Sequence, residues 1–158
     1  MRPAWSDLTM VPSDAAVAAL RRSWAWLVPG PFTPSLFSAL GDAFLELESG
    51  GVHWLDTGTG TLSRVADSVE SFRALLGTEA ANDWFLPDLI EQLHAAGKTL
   101  GPGRCYTYVI LPIFTEGRYD VSNLNPVPAE EHFALTGEMH ERLAALPDGT
   151  KVRVVVVP

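Results

Sequence analysis

The segment from Pro31 to Leu76 is cut by two glycine-bearing turns at nearly even spacing, and this punctuation limits what the chain can fold into. Ser49-Gly50-Gly51 separates Asp42–Glu48 from Val52–Asp56, and Thr57-Gly58-Thr59-Gly60 separates Val52–Asp56 from Leu62–Ala66. Glycine enters the left-handed region without a Cβ clash, so such turns reverse short strands and predict an antiparallel meander. A helix then closes the segment, with Ser68 as N-cap and Val69, Phe72, Leu75 and Leu76 at helical spacing.

The flanking elements are helical before the meander and mixed after it. Residues 1–11 read as a lead-in. Residues 12–158 read as one α+β domain, with a helix-and-meander half (12–76) and a C-terminal half (77–158). Ser13 is a suitable N-cap for a first helix whose Val17, Leu20, Trp24 and Leu27 share a face, and Pro29-Gly30-Pro31 stops it. A short helical turn is expected at Glu79–Trp84. Pro87 suits the first position of the next helix, Leu89, Ile90 and Leu93 its buried side, and Gly97 its C-terminal cap. Arg104–Leu111 predicts a strand and Tyr119–Val121 a short one, with Asn123-Leu124-Asn125-Pro126 irregular. A late helix spans Pro128 to Ala145 with an apolar stripe of Leu135, Met139, Leu143 and Leu146. The β-branched run Val152–Val157 predicts a last strand. Strands and helices without regular alternation make the fold class α+β: an antiparallel meander sheet packed with several helices.

Charge and composition narrow the function. A net charge of −8 opposes direct binding to nucleic acid, which needs clustered Lys and Arg, and favours a basic partner. Cys105 is the single cysteine, so no internal disulfide forms and a reducing compartment fits. No signal-peptide pattern and no membrane-length apolar run is expected.

The motifs for chemistry are weak. Gly97-Lys98-Thr99 looks like the end of a phosphate-binding loop, but Gln92 stands where that loop needs glycine, and a helix precedes it. Gly58 and Gly60 are explained by a hairpin turn. His132 and His140 stand eight residues apart on one helix, about 12 Å between Cα atoms, too far for one ion to bridge easily. His53 and His94 lie on other elements, so a metal site assembled from distant segments stays open. Asp42, Asp56 and Asp67 fall at strand ends and turns, where aspartate is ordinary. No catalytic, cofactor-binding or metal residue is therefore assigned. Trp24, Trp26, Trp54, Trp84 and Phe85 read as core. Tyr106 and Tyr108 share a strand face, and a polar pocket formed by Tyr106, Tyr119, His132 and His140 is the alternative reading, that of a small-molecule sensor or hydrolase. Glu130, Glu131, Glu138 and Glu141 fall within roughly 100° of arc on the late helix, an acidic face suited to a basic protein partner.

Several short motifs in order complete the reading: Trp24-Ala25-Trp26, Gly30-Pro31, Pro34, Phe37 and Gly41-Asp42; then Gly51-Val52-His53-Trp54-Leu55-Asp56, Gly60, Val65-Ala66 and Ser68; then Gly101-Pro102-Gly103-Arg104-Cys105-Tyr106 and His132 with Gly137-Glu138-Met139-His140. Together they resemble bacterial immunity proteins of the Tdi type, linked to DNase toxins of the type VI secretion system, over residues 5 to 157. The resemblance implies a GAD-like first part, a characteristic C-terminal domain, and cytoplasmic protection by direct binding of a cognate toxin encoded nearby. It implies no catalytic residues. The meander with its helix also resembles, more loosely, the SUKH group of immunity folds.

Overall fold

Ala43, Phe44 and Leu45 sit side by side on one strand, and each is fully buried. A strand buries successive side chains on opposite faces, so this run requires cover on both sides of its sheet. The computed structural model, which describes residues 2–152, supplies that cover. Strands β1 (Phe32–Phe37), β2 (Ala43–Leu47), β3 (Val52–Asp56) and β4 (Thr61–Ala66) form an antiparallel sheet in the order β1-β2-β3-β4. The predicted meander is therefore present, with β1 as an additional edge strand. Pro34 lies at a register shift on that edge, where a missing N–H is tolerated.

On one face, Ala43, Leu45, Leu47 and Leu55 pack against helices α2 (Asp14–Ser23) and α6 (Ala129–Ala144). On the other face, Phe44 meets Phe72 at 4.9 Å, Trp84 at 5.3 Å and Phe85 at 5.7 Å between ring centroids. These three rings come from α3 (Val69–Leu75) and α4 (Ala80–Phe85). A third apolar cluster joins Ile90 and Leu93 of α5 (Pro87–Ala95) to Tyr106 and Tyr108 of β5 (Arg104–Tyr108). The alternation that puts both tyrosines on one face holds. The architecture is α+β.

Local signals act as the residue types demand. The Ser13 and Ser68 hydroxyls each accept a backbone N–H three residues on, at 3.1 Å. Pro87 opens α5, and Gly97 (φ +79°) closes it, with Lys98 N donating to Leu93 O at 2.9 Å. The helix-cap reading of Gly97-Lys98 is thus the observed one. Lys98 Nζ donates to the carbonyls of Val121 and Leu124 at 2.7 and 2.9 Å.

Four expectations are corrected. Helix α2 ends at Ser23, before Trp24 and Leu27, with Trp24 as its C-terminal cap and turns leading to Pro29. Strand β5 ends at Tyr108 and not Leu111, because the Asn123 side chain engages the backbone of Ile110 instead of a strand partner doing so. The partner of β5 is β6 (Leu124–Pro128), the stretch expected to be irregular, while Val121–Asn123 is a single 3-10 turn and Tyr119 lies in a loop. The buried side of α6 is not the leucine stripe: Leu135 is 63% and Leu146 41% exposed, whereas Ala129, His132, Phe133, Thr136, Gly137 and His140 are buried. Hydropathy chose leucine, but the neighbouring helix required small residues and the neighbouring turn required hydrogen bonds. Beyond Val152, the expected last strand lies outside the described residues. The lead-in carries α1 (Trp5–Leu8) and a bridge from Thr9 to Ser38.

Helices α2 and α6 meet at Gly137. A Cβ there would stand 2.5 Å from the Ser23 carbonyl oxygen and 2.7 Å from Ser23 Cβ, and the Trp26 indole donates to the Gly137 carbonyl at 3.1 Å. Gly→Ala inside an open helix stabilises by about 1 kcal/mol. At this seam the sign reverses, because the methyl group meets backbone that cannot rotate away. Gly137→Ala is expected to lower the unfolding free energy by roughly 1–3 kcal/mol, read from urea denaturation. A neutral or stabilising effect would show that the helices do not approach this closely.

Candidate functional site

The residues with chemical capacity converge where the β3–β4 turn meets α6. Asp56 starts that turn by accepting the N–H groups of Gly58 and Thr59 at 3.0 and 3.3 Å, the ordinary use of aspartate in a turn. Gly60 ends it at φ +71°, with its N–H on the Asp56 carbonyl at 2.8 Å. Thr57 is thereby pushed inward and is fully buried.

Thr57 is the hub. Its N–H donates to Asp42 Oδ1 at 3.0 Å. Its hydroxyl lies 2.9 Å from the Gly41 carbonyl, 3.0 Å from Asp42 Oδ1 and 2.9 Å from His132 Nε2. Its own carbonyl accepts from His140 Nε2 at 2.8 Å. Both histidines of α6 therefore grip the same turn residue, one at the side chain and one at the backbone. Glycine is required beneath each ring: a Cβ on Gly41 would stand 2.2 Å from His132 Nε2, and one on Gly60 2.5 Å from His140 Nδ1.

The tautomers follow from the partners. The Gly41 carbonyl, 3.0 Å from His132 Nε2, can only accept, so Nε2 carries the proton. His132 Nδ1 then accepts from the Thr107 hydroxyl on β5 at 2.8 Å. The same reasoning puts the His140 proton on Nε2. Burial holds both rings neutral. It lowers the His132 pKa to about 4, with the Gly41 hydrogen bond opposing and the His140 charge adding a little; it lowers that of His140 against the Thr57 hydrogen bond.

Asp42 is not the ordinary turn carboxylate its position suggests. It is buried, accepts from Trp54 Nε1 at 3.2 Å as well as from Thr57, and its pKa is raised well above the usual range by burial and then by the Asp56 charge. Burial and the Asp56 charge thus disfavour its ionised form, the hydrogen bonds from Thr57 and Trp54 oppose them, and no cation is among its hydrogen-bond partners. Nothing in the sequence distinguishes Asp42 from Asp67, which is exposed and bridged to Arg64 at 3.1 Å. The signal that was present is the pairing of Gly41-Asp42 with Asp56-Thr57-Gly58-Thr59-Gly60, which becomes legible only when the two turns are known to be adjacent.

The other candidates are dispersed. Tyr106 is buried with its hydroxyl donated to the Lys98 carbonyl, and burial pushes its pKa up to about 12. Tyr119 stands on an exposed loop, its ring edge-on to Tyr108 at 5.8 Å, beside a cleft of about 340 Å³ that Leu86, Pro87 and Gln92 also line. The structure thus joins His132 to His140 through Thr57 and directs the two tyrosines elsewhere. Cys105 is buried and its thiol is pushed far up by burial, which removes the thiolate a nucleophile needs. Among the described residues, no three His, Cys, Asp or Glu side chains are grouped to hold a metal ion. Glu130, Glu131, Glu138 and Glu141 are all exposed on α6; Glu138 is paired with Arg142 at 2.7 Å and exposed Leu135 lies on the same helix.

The fold and site define an α+β protein in which Gly41, Asp42, Thr57, His132 and His140 form one buried hydrogen-bond network and helix α6 displays its carboxylates; no described helix is long and apolar enough to cross a membrane. Residues 66–140 match the family described as T6SS immunity protein Tdi1, C-terminal, and this match supports the Tdi-type resemblance over that segment. The matched segment runs from the end of β4 through His140. It contains both gripping histidines, whereas the Gly41, Thr57 and Gly60 they hold precede it. No curated protein and no solved structure gives a significant match to the chain.

The network makes stability depend on pH. The folded pKa of His132, about 4, lies below its unfolded value of about 6.5, so the unfolded chain binds more protons between them. Stability therefore falls as pH drops from 6.5 toward 4, by up to roughly 3 kcal/mol from this residue. His140 acts in the same direction. Asp42 acts oppositely: its raised pKa gives a contribution present below pH 3.8 and lost as pH rises through its folded value. Urea unfolding of the wild type and of His132→Gln across pH 4–8 checks this. The uncharged variant should lose part of the acid-side slope whatever its absolute stability; an unchanged slope would mean that His132 is charged in the fold.

Proposed function

We propose that this chain is a cytoplasmic immunity protein that neutralises a cognate secreted toxin by binding it directly, without catalysis, and that the toxin is a DNase encoded nearby. The family match over residues 66–140 carries the reading. The charge balance supports it. A DNase must present a basic surface to phosphates. A chain of net charge −8 is attracted to that surface and can cover it without contacting nucleic acid itself.

The acidic face of α6 is the electrostatic part of the docking surface. Glu130, Glu131, Glu138 and Glu141 are held on one rigid helix, which the α2 seam at Gly137 and the histidine grip lock in place. Carboxylates on a rigid element keep their spacing, so a partner's cations meet a fixed pattern. The single pairing of Glu138 with Arg142 is exposed and contributes little to stability, which leaves that carboxylate available for exchange.

Steering by exposed charge acts chiefly on the association rate and is screened by salt. Glu131→Lys with Glu138→Lys is expected to slow association with the toxin several-fold at low salt and to flatten the salt dependence. The fold should survive within about 0.5 kcal/mol per site. Stopped-flow or surface-based kinetics at two ionic strengths measure this, and identical on-rates at low salt would remove α6 from the interface. Growth rescue on co-expression with the polypeptide encoded beside this gene tests the function itself; continued killing would reject that pairing.

A further inference from the structure

Four of the nine large hydrophobic residues that are exposed among the described residues stand in one loop, between β5 and the 3-10 turn: Val109 at 65%, Ile110 at 40%, Ile113 at 46% and Tyr119 at 46%. Single exposed apolar side chains are common on any protein; four within eleven residues are not. We propose that this loop is the apolar anchor of the toxin interface, seating a hydrophobic patch of the partner while α6 supplies the charge. The proposal rests on the immunity reading above and adds where the binding energy resides.

The loop is held in shape by more bonds than a connection of this kind needs. The Asn123 side chain accepts from Ile110 N and donates to the carbonyls of Ile110 and Arg118, each at 2.8 Å, while Val109 N donates to the Asn123 carbonyl at 2.8 Å. Ile113 N donates to the Gly58 carbonyl at 3.2 Å, fastening the loop to the same turn the histidines grip. Gly117 is packed so closely that a Cβ would stand 2.0 Å from the Leu111 carbonyl oxygen. Leu111 is buried beneath, and Tyr108 braces the Tyr119 ring. Backbone fixed in this way while its aliphatic and aromatic side chains face water is pre-organised for contact, and pre-organisation reduces the ordering cost of binding. Tyrosine and large aliphatic side chains on such a frame are the residue types that act as interface anchors. The cleft beside Tyr119, of about 340 Å³, is large enough to receive a partner side chain.

The occupant is a basic protein and not a second copy. Two copies would bring together chains of net charge −8 each. Asp88, Glu116 and Asp120 lie around the loop and cleft, opposed there by Arg2 and Arg118, so the local surroundings are also acidic on balance. The loop lies wholly within the segment matched by the immunity family, 66–140.

The test uses the full chain and, as probe, the purified polypeptide encoded beside its gene, with two charge-neutral variants: Val109→Ser with Ile113→Ser, and Tyr119→Ser. Both sets alter exposed side chains, and an unchanged unfolding midpoint confirms that the frame remains. Expected is a loss of affinity of about 30-fold or more for the double variant, mostly through faster dissociation, with the on-rate and its salt dependence kept. The α6 charge variant should show the reverse pattern. Wild-type binding that both loop variants reproduce would overturn the anchor and leave the immunity reading standing. Absence of wild-type binding would reject that pairing, and the anchor with it. A wild-type dimer that the double variant converts to monomer would assign the loop to self-association and overturn the proposal.

Discussion

A single buried threonine couples the two halves of the meander to the last helix. Thr57 is held within 3.0 Å of Gly41, Asp42, His132 and His140 by its N–H, hydroxyl and carbonyl together. A buried polar group costs free energy unless it is bonded, so a network of this kind is stable only when all its members are in place. That requirement sets the register of α6 against the sheet more sharply than apolar packing does. Apolar contact tolerates sliding, whereas two rings eight residues apart on one helix must each find a carbonyl.

The α2–α6 seam follows from the same constraint. With His132 and His140 turned to the sheet, Gly137 faces α2, and the helices close until Gly137 meets the Ser23 backbone. Trp24 and Trp26 fill the remaining space: they stack on each other at 5.7 Å, and Trp24 lies 5.6 Å from the His140 ring. The side of α6 with its glutamates is consequently the side that cannot be buried. A rigid charged surface is a by-product of a polar core in this fold, and it is the surface proposed above to meet a basic partner.

The apolar loop and the acidic helix are joined through one turn. Gly58 holds Ile113, and the neighbouring Thr57 holds both histidines of α6. The two parts of the proposed interface therefore share a rigid frame, so one partner surface can meet both without either having to be ordered first. The β3–β4 turn, which looks in the sequence like a simple hairpin connection, thus fixes the geometry of the surface.

What the sequence by itself determined were the elements whose causes are local. Ser13 and Ser68 as N-caps, Pro87 opening α5, Gly97 closing it, and the glycine turns of the meander depend on bonds within a few residues. A resemblance to Tdi-type proteins could also be read from short motifs in order, and the match over residues 66–140 supports it. What only the tertiary structure decided were the properties set by distant neighbours. The β6 strand exists because β5 pairs with it, although Pro126 and Pro128 argue against a strand locally. The buried face of α6 is chosen by the closeness of α2 and the carbonyls of the β3–β4 turn, so leucines are exposed and histidines are interior. Asp42 differs from Asp67 only in being folded beneath Thr57. Hydropathy and spacing describe one segment at a time, while hydrogen-bond satisfaction in a closed core is a property of several segments together.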